Sequence, residues 1–456
     1  MRLLGVLVLG VSLLAASTSF ASECRPLSPG EIPAGSALAT PGQGALEELA
    51  LRVRAQPRFQ AEVRRVEALY AADAQGATIT GKATIQRAAD AIAQAAIYYA
   101  ISEAGVQRPV ALWVSNAPHE WMGRQMPRSG YGIDNPDNVY RQAMLDGGSR
   151  YEIHGRVRRP GPVEQHFQIM GGIPGLGPMT AEGGDLPAQI RSDQLAIEAN
   201  GHFCISIDAA PANGRRNHLQ LPGRGTYLLV VRDLFTDWNT QKPVWLDIRR
   251  VEDEATQRDA LALDAETIAG RAVEILSGIA PYWVDYDNRF VFTKPVNQVT
   301  APRVRPAGRG LSMGGHFDLA PGEALLVTVD ALGAGSLGFQ LTDPWGVAYE
   351  YVGRSSSLNN AQARPNGDGT YTFVISATDP GVHNWLDPEG FGAGMFAIRW
   401  QVLPGAVSPE RAIREVSVQT HAALRESLPA DVFVTPAERR AQLEARARAH
   451  ARRLTE

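Results

Sequence analysis

Residues 369–402 read GTYTFVISA (369–377), TDPGVHNWLDPEGFGAG (378–394) and MFAIRWQV (395–402), and this strand, loop and strand decide the fold. An earlier stretch echoes them. Between Asn200 and Asp233, Gly201 leads a strand, Asn217-His218-Leu219 stands in place of Asn384-Trp385-Leu386, and LLVVR closes the unit. Asn217 and Arg232 are fifteen residues apart, as are Asn384 and Arg399. Gly223 and Gly225 fall on the same offsets as Gly390 and Gly392. Turn residues bounding short apolar runs mark β structure, and the ungapped match marks two related β units.

The composition agrees with that reading. The chain has 456 residues, enough for two or three domains, and contains 45 Gly and 30 Pro, which suits a turn-rich β protein. Its formal net charge of −4 provides no electrostatic footprint for nucleic acid. At the amino end, Arg2, the run LLGVLVLGVSLLAA and Ser19-Phe20-Ala21 read as a secretory leader cleaved before Ser22. No later segment is apolar enough to span a bilayer, so the expected location is the periplasm or the exterior. Cys24 and Cys204 both survive that cleavage. In an oxidising compartment they either pair, tying the arm to a strand of the first unit, or stay as a mobile and a buried thiol.

The expected class is α+β, mainly β. It consists of two jelly-roll-like antiparallel β-sandwich halves with helical amino-terminal, linking and carboxy-terminal segments. After the leader (1–21), residues 22–105 form an arm and helices, with a break at Pro57 and an alanine-rich helix from Ala83 to Glu103 facing a sheet of the first sandwich. The first sandwich occupies 106–253. A linking helix (254–278) bridges the halves, and a Pro/Arg linker completes 254–310. The second sandwich takes 311–404, and the tail (405–456) is helical. One tail helix starts at Ser408-Pro409-Glu410. The last starts at a capping box, Thr435-Pro436-Ala437-Glu438, and its Arg-rich, Ala-rich sequence reads as solvated or as an oligomer contact.

Two segments together resemble a known family. DNPDNVYRQAMLDGGSRYEIHGR (134–156) with the Asn-His-Leu unit, and NGDGTYTF (366–373) with HNWLDPEGFGAGMFAIRW (383–400), are similar to the bacterial family called domain of unknown function 1214. The resemblance covers about residues 130 to 400. It implies an Asn-Trp-Leu turn between two strands of a jelly-roll-like sandwich, and no settled activity.

Among candidate site residues, Asp134-Asn-Pro-Asp137-Asn-Val-Tyr140-Arg141 stands first. Asp134 and Asp137 around a Pro-fixed turn, with Arg141 close by, suit an acid/base pair with a charge clamp. The plainer reading is a rigid loop whose Asp and Asn side chains cap their own backbone. Tyr140 and Arg141 lead into a strand and should face opposite sides. Tyr140, Asn384 and Trp385, with His218 at the position matching Trp385, suit contacts to a ligand. A motif present twice is more simply a structural turn, with Leu219 and Leu386 plugging the core. Arg232 and Arg399 read as sandwich-edge ion pairs rather than ligand clamps.

Gly310-Leu-Ser312-Met-Gly314 matches a nucleophile-elbow pattern without the strand and helix that motif needs. No His/Cys cluster at metal spacing and no cofactor motif appears. Three functions remain open: binding of a small apolar or saccharide-like ligand, a hydrolase or lyase using the paired Asp and Arg, and homo-oligomeric assembly through the terminal helices.

Overall fold

The computed structural model describes Cys24 and residues 35–114, 117–180, 184–251, 264–306 and 308–455. The expected leader (1–21) and the first part of the expected linking helix (254–263) lie outside the described residues.

Three helices come first: α1 (Gln43–Arg54), α2 (Pro57–Ala72) and α3 (Ile79–Ala104). Pro57 opens α2 at a position where its missing N–H has no helical partner to lose, so the break is a change of helix. Thr78 caps α3, its hydroxyl accepting from the backbone N–H of Gly81. The alanine face of α3 packs on α4 (Ala265–Phe290), whose Ala269, Ala272, Ile275 and Leu276 are buried in the same core. Small side chains allow the two axes to approach closely.

The first half contains β1 (Leu112–Val114), a separate hairpin of β2 (His119–Trp121) and β3 (Arg124–Met126), β4 (Asn138–Asp146) and β5 (Tyr151–Arg156). It continues with β6 (Glu164–Met170), β7 (Ala188–Arg191), β8 (His202–Asp208), β9 (His218–Gln220), β10 (Thr226–Leu234) and β11 (Trp245–Arg250). The second half contains β12 (Arg303–Val304), β13 (Leu311–Asp318), β14 (Glu323–Val329), β15 (Ser336–Thr342) and β16 (Ser357–Asn359). β17 (Tyr371–Ile375), β18 (Trp385–Leu386), β19 (Ala393–Gln401) and β20 (Ile413–Thr420) complete it.

The two halves share one topology. The first pairs a five-stranded sheet, β1-β4-β10-β6-β7, with a four-stranded one, β11-β5-β8-β9. Substituting counterparts yields the second: β12-β13-β19-β15-β16 and β20-β14-β17-β18. Each half has one short parallel pair at the same place, β8 with β9 and β17 with β18. Phe167, Phe203 and Val231 fill the first interior, and Phe339, Phe373, Phe396 and Trp400 the second. The class is therefore mixed α+β with two sandwich halves. The central strands β10 and β19 begin and end on the same offset, so the ungapped repeat is one strand position occupied twice.

The repeated Asn makes the same clamp in both halves. Asn217 donates to the carbonyl of Ala196 (2.9 Å) and accepts from the N–H of Ala196 (2.8 Å). Asn384 does the same to Arg364, at 2.8 Å each way, and also donates to the Thr372 carbonyl at 3.0 Å. Asn384 is buried, whereas Asn217 is half-buried. Asn384→Ala is expected to cost about 2–4 kcal/mol, because backbone groups lose their partners away from water. Asn217→Ala is expected to cost about 1 kcal/mol, because water replaces the lost bonds. Urea unfolding of the two variants measures the difference; equal costs would show that burial does not set the clamp's worth.

The tail departs from its helical reading. After a single turn at Pro409–Arg411, residues 413–420 form β20, paired with β14. Ile413, Val416, Val418 and Thr420 are β-branched and favour an extended chain, which outweighs the helix-start signal at Pro409. The second half thus runs from β12 to β20, beyond the 311–404 expected. The linking helix also runs further than expected, to Phe290, and most of it packs in the helical layer. A short helix, α5 (His421–Ser427), follows β20.

The last helix, α6 (Pro436–Thr455), starts at the expected capping box, with Glu438 N–H donating to Thr435 Oγ1 and Thr435 N–H to Glu438 Oε2. Its arginine face is docked on its own chain. Arg439, Arg446 and Arg453 recur every seven residues, and each is only 6% exposed. Arg439 pairs with Asp379 at 2.9 Å and lies over Trp385. Arg446 donates to the Tyr351 carbonyl (2.6 Å) and to Ser357 Oγ (2.7 Å). Arg453 donates to the Pro136 carbonyl at 3.0 Å. Trp238 meets two of these guanidinium groups, Arg446 at 4.4 Å and Arg453 at 4.3 Å from its ring centre. Guanidinium groups stack well on aromatic faces, so arginines serve here as packing residues that strap the two halves together.

Cys24 and Cys204 are joined by a disulfide, which ties the arm to β8. Among the described residues no helix is long and apolar enough to cross a membrane.

Candidate functional site

The alternation of a strand sends every second side chain to one face. On β4, β10 and β6 the outward set includes Tyr140, Arg232 and His166, which the register aligns in one row with Arg232 at the centre. The equivalent row in the second half is Ser312, Arg399 and Gly338. Both five-stranded sheets border a single cavity of about 270 Å³, and Arg232 and Arg399 both line it. Tyr99 of α3, Tyr131 and Trp283 of α4 close one side.

Neither central arginine has a carboxylate within ion-pair distance among the described residues, which corrects their reading as edge ion pairs. Arg399 donates to Gln340 Oε1 and to the Ile133 carbonyl. Arg232 lies over the ring of Tyr140, 5.6 Å from its centre. Burial pulls both guanidinium pKa values down; Tyr140 opposes this at both, Asp134 and Asp137 oppose it at Arg399, and Arg305 adds to it. Both charges line the same cavity. Arginine stays protonated in proteins, so the cavity holds two positive charges that no ion pair among the described residues neutralises.

Asp134 is the acid of the cavity wall. Both its carboxylate oxygens are buried without a hydrogen-bond partner among the described residues. Burial pushes its pKa up to about 7, against the pull of Arg399 and Arg128. His166 is 3% exposed, its Nε2 lies 2.5 Å from Glu164 Oε2, and its Nδ1 has no partner among the described residues. A carboxylate fixes the ring while the other nitrogen stays available.

The expected acid pair is not assembled. Asp137 Oδ1 accepts from Trp238 Nε1 (2.9 Å) and from Asn359 Nδ2 (2.7 Å), and Asp137 does not line the cavity. Burial raises its pKa, with the Asn359 bond opposing. Its partners come from both halves, so Asp137 is a latch between them. Arg141 borders the cavity, yet its guanidinium is committed to Asp233 (2.9 Å) and the Val244 carbonyl (2.6 Å), both partners fully inside the first sandwich end. Tyr140 and Arg141 do face opposite sides.

Of the expected ligand contacts, Tyr140 is at the cavity, its hydroxyl accepting from the Asn135 N–H and from Asn138 Nδ2, each at 3.0 Å. Asn384, Trp385 and His218 are elsewhere. Trp385 donates to the Ser376 carbonyl at 2.9 Å, and His218 bonds Ser206 Oγ at 2.9 Å. All three are parts of the repeated turn. Ser312 is on strand β13 rather than on an elbow. Arg232 and Arg399, read as edge ion pairs, and His166 are cavity residues to which sequence reading attached no ligand role; the arginine ending each repeat was the signal for the first two.

No family model and no curated protein matches this chain. A crystal structure of an uncharacterized protein from Burkholderia cenocepacia is similar at 24% identity and a TM-score of 0.66, covering 83% of this chain and 100% of that one. That likeness concerns the fold. A protein from Vibrio parahaemolyticus matches at 9% identity and a TM-score of 0.39, over 72% of this chain and 96% of that one.

Proposed function

We propose that the cavity between the halves binds a small molecule through an anionic group. Arg232 and Arg399 carry this reading: two guanidinium groups without carboxylate partners among the described residues, beside an acid that burial holds near neutrality. The small-ligand expectation is kept, with a negative charge added to its apolar or saccharide-like body. Arg232→Met is expected to weaken binding of acetate or inorganic phosphate about 10–100-fold, the worth of one charge-assisted hydrogen bond. Titration calorimetry on folded Arg232→Met and Arg399→Met measures this. Affinities within twofold of the unaltered protein would remove the arginines from the site.

A second reading makes the cavity an enzyme site, with Asp134 as acid and the Glu164-oriented His166 as base, in place of Asp137 and Arg141. Its support is the pair of unpartnered polar groups facing one space. Asp134 has a folded-state pKa raised above that of the unfolded chain, so its ionisation opposes folding. Stability should therefore fall as pH rises from about 4 to about 7. Asp134→Asn is expected to match the unaltered protein near pH 4 and to exceed it above pH 7. Thermal melts across that range test it, and a pH-independent difference would contradict the raised pKa.

We also infer an exported protein, on the disulfide and the expected leader; amino-terminal sequencing of exported material should begin at Ser22. Membership in the family called domain of unknown function 1214 remains a proposal resting on the two Asn-containing turns. A homologue with both turns and both cavity arginines would support it.

A further inference from the structure

A second cleft, of about 390 Å³, adjoins the cavity and shares Ile133, Trp283, Ser312 and Arg399 with it. Its character differs. Helical spacing sets Trp283, Tyr286 and Phe290 of α4 along one side, and Met313 lines the cleft with them. With Tyr131 they make a continuous aromatic ridge, the ring centres 5.6, 5.0 and 4.9 Å apart in sequence. Phe290, at the outer end, is 36% exposed, so the ridge leads from water to the arginines. The cleft's Lys294 is already occupied, its Nζ donating to the Gly314 carbonyl, and burial lowers its pKa.

Resting on the anion reading above, we propose that the ligand is an amphipathic anion with a flat apolar body. Its acid group lies between Arg232 and Arg399, and its body lies along the Trp283–Tyr286–Phe290 ridge. Arg399 and Trp283 belong to both spaces, so one molecule reaches both without a break. Aromatic faces reward a flat partner beyond simple burial, and the ridge is half-buried along its length and open to water at Phe290, where such a body would enter.

The test uses acetate, phenylacetate, 3-phenylpropionate and the neutral amide of the last, titrated into the full chain and followed by the tryptophan indole N–H signals. The signal missing from Trp283→Ala reports on the ridge. Expected is a tenfold or greater gain from acetate to 3-phenylpropionate, reduced in Phe290→Ala, which lines the cleft and not the arginine cavity, while acetate binds as before. Trp283→Ala, whose ring borders both spaces, should lose the whole gain, and Phe290→Ala covers the case in which Trp283→Ala does not fold. Acids binding equally whatever their body would overturn this inference and leave the anion reading standing. No binding of any acid, or an amide as tight as its acid, would overturn the anion reading and this inference with it.

Discussion

Trp238→Ala is expected to destabilise the protein by about 3–5 kcal/mol and to detach α6. The indole is 3% exposed and has three roles. It fills the space between Arg446 and Arg453, it packs edge-on to Tyr351, and its Nε1 donates to Asp137. Removing it leaves a cavity, an under-bonded buried carboxylate and two buried guanidinium groups without their aromatic faces. An α6 without those faces has little to bury, since few of its side chains are apolar. Urea unfolding should show the loss, and trypsin should cut α6 at its arginines in the folded variant. A stability change under 1 kcal/mol with a trypsin-resistant tail would mean that the hydrogen bonds alone hold the helix. Trp238→Phe retains the faces without the donor and should fall between.

Arg141→Met is expected to cost a similar amount, about 3–5 kcal/mol, because it strands a buried charge. Asp233 accepts from Arg141, from Gln165 Nε2 (2.6 Å) and from the Val244 N–H (2.9 Å), with no exposure to water. Without the arginine its negative charge stays buried on two neutral donors. Adding Asp233→Asn removes that charge, so the double variant should regain much of the loss. The same pair decides between the two roles considered for Arg141. A clamp on substrate would lose binding in the single variant, and Asp233→Asn would restore none of it. A structural pair loses stability first and regains it in the double variant.

The fold was legible wherever information was local. The repeat's strand ends, the break at Pro57, the capping box at Thr435 and the opposite facing of Tyr140 and Arg141 all follow from spacing and turn chemistry. β20 was hidden by a helix-start signal one turn upstream, and its pairing with β14 depends on residues about ninety positions away. The arginines of α6 read as solvated because guanidinium groups usually are; only the positions of Trp238 and Trp385 in space make them core. Asp137 illustrates the same limit. Its sequence neighbours suggested a partner for Asp134, and its actual partners are 101 and 222 residues away. The cavity exists only because two distant copies of one strand are brought to a shared space, and nothing local says that they meet.

The strap has a bearing on the order of events during synthesis. α6 lies carboxy-terminal to both sandwiches, and domains fold as they emerge, the earlier first. The first sandwich is complete at Arg250, with Phe235 and Trp238 still uncovered, and the second is complete at Thr420. Arg453 then covers those rings and takes hold of the Pro136 carbonyl, in the loop that carries Asp134. The binding site therefore receives its last tether after everything around it has formed, so a nascent chain carries the walls of the cavity before it carries the means to hold them in place.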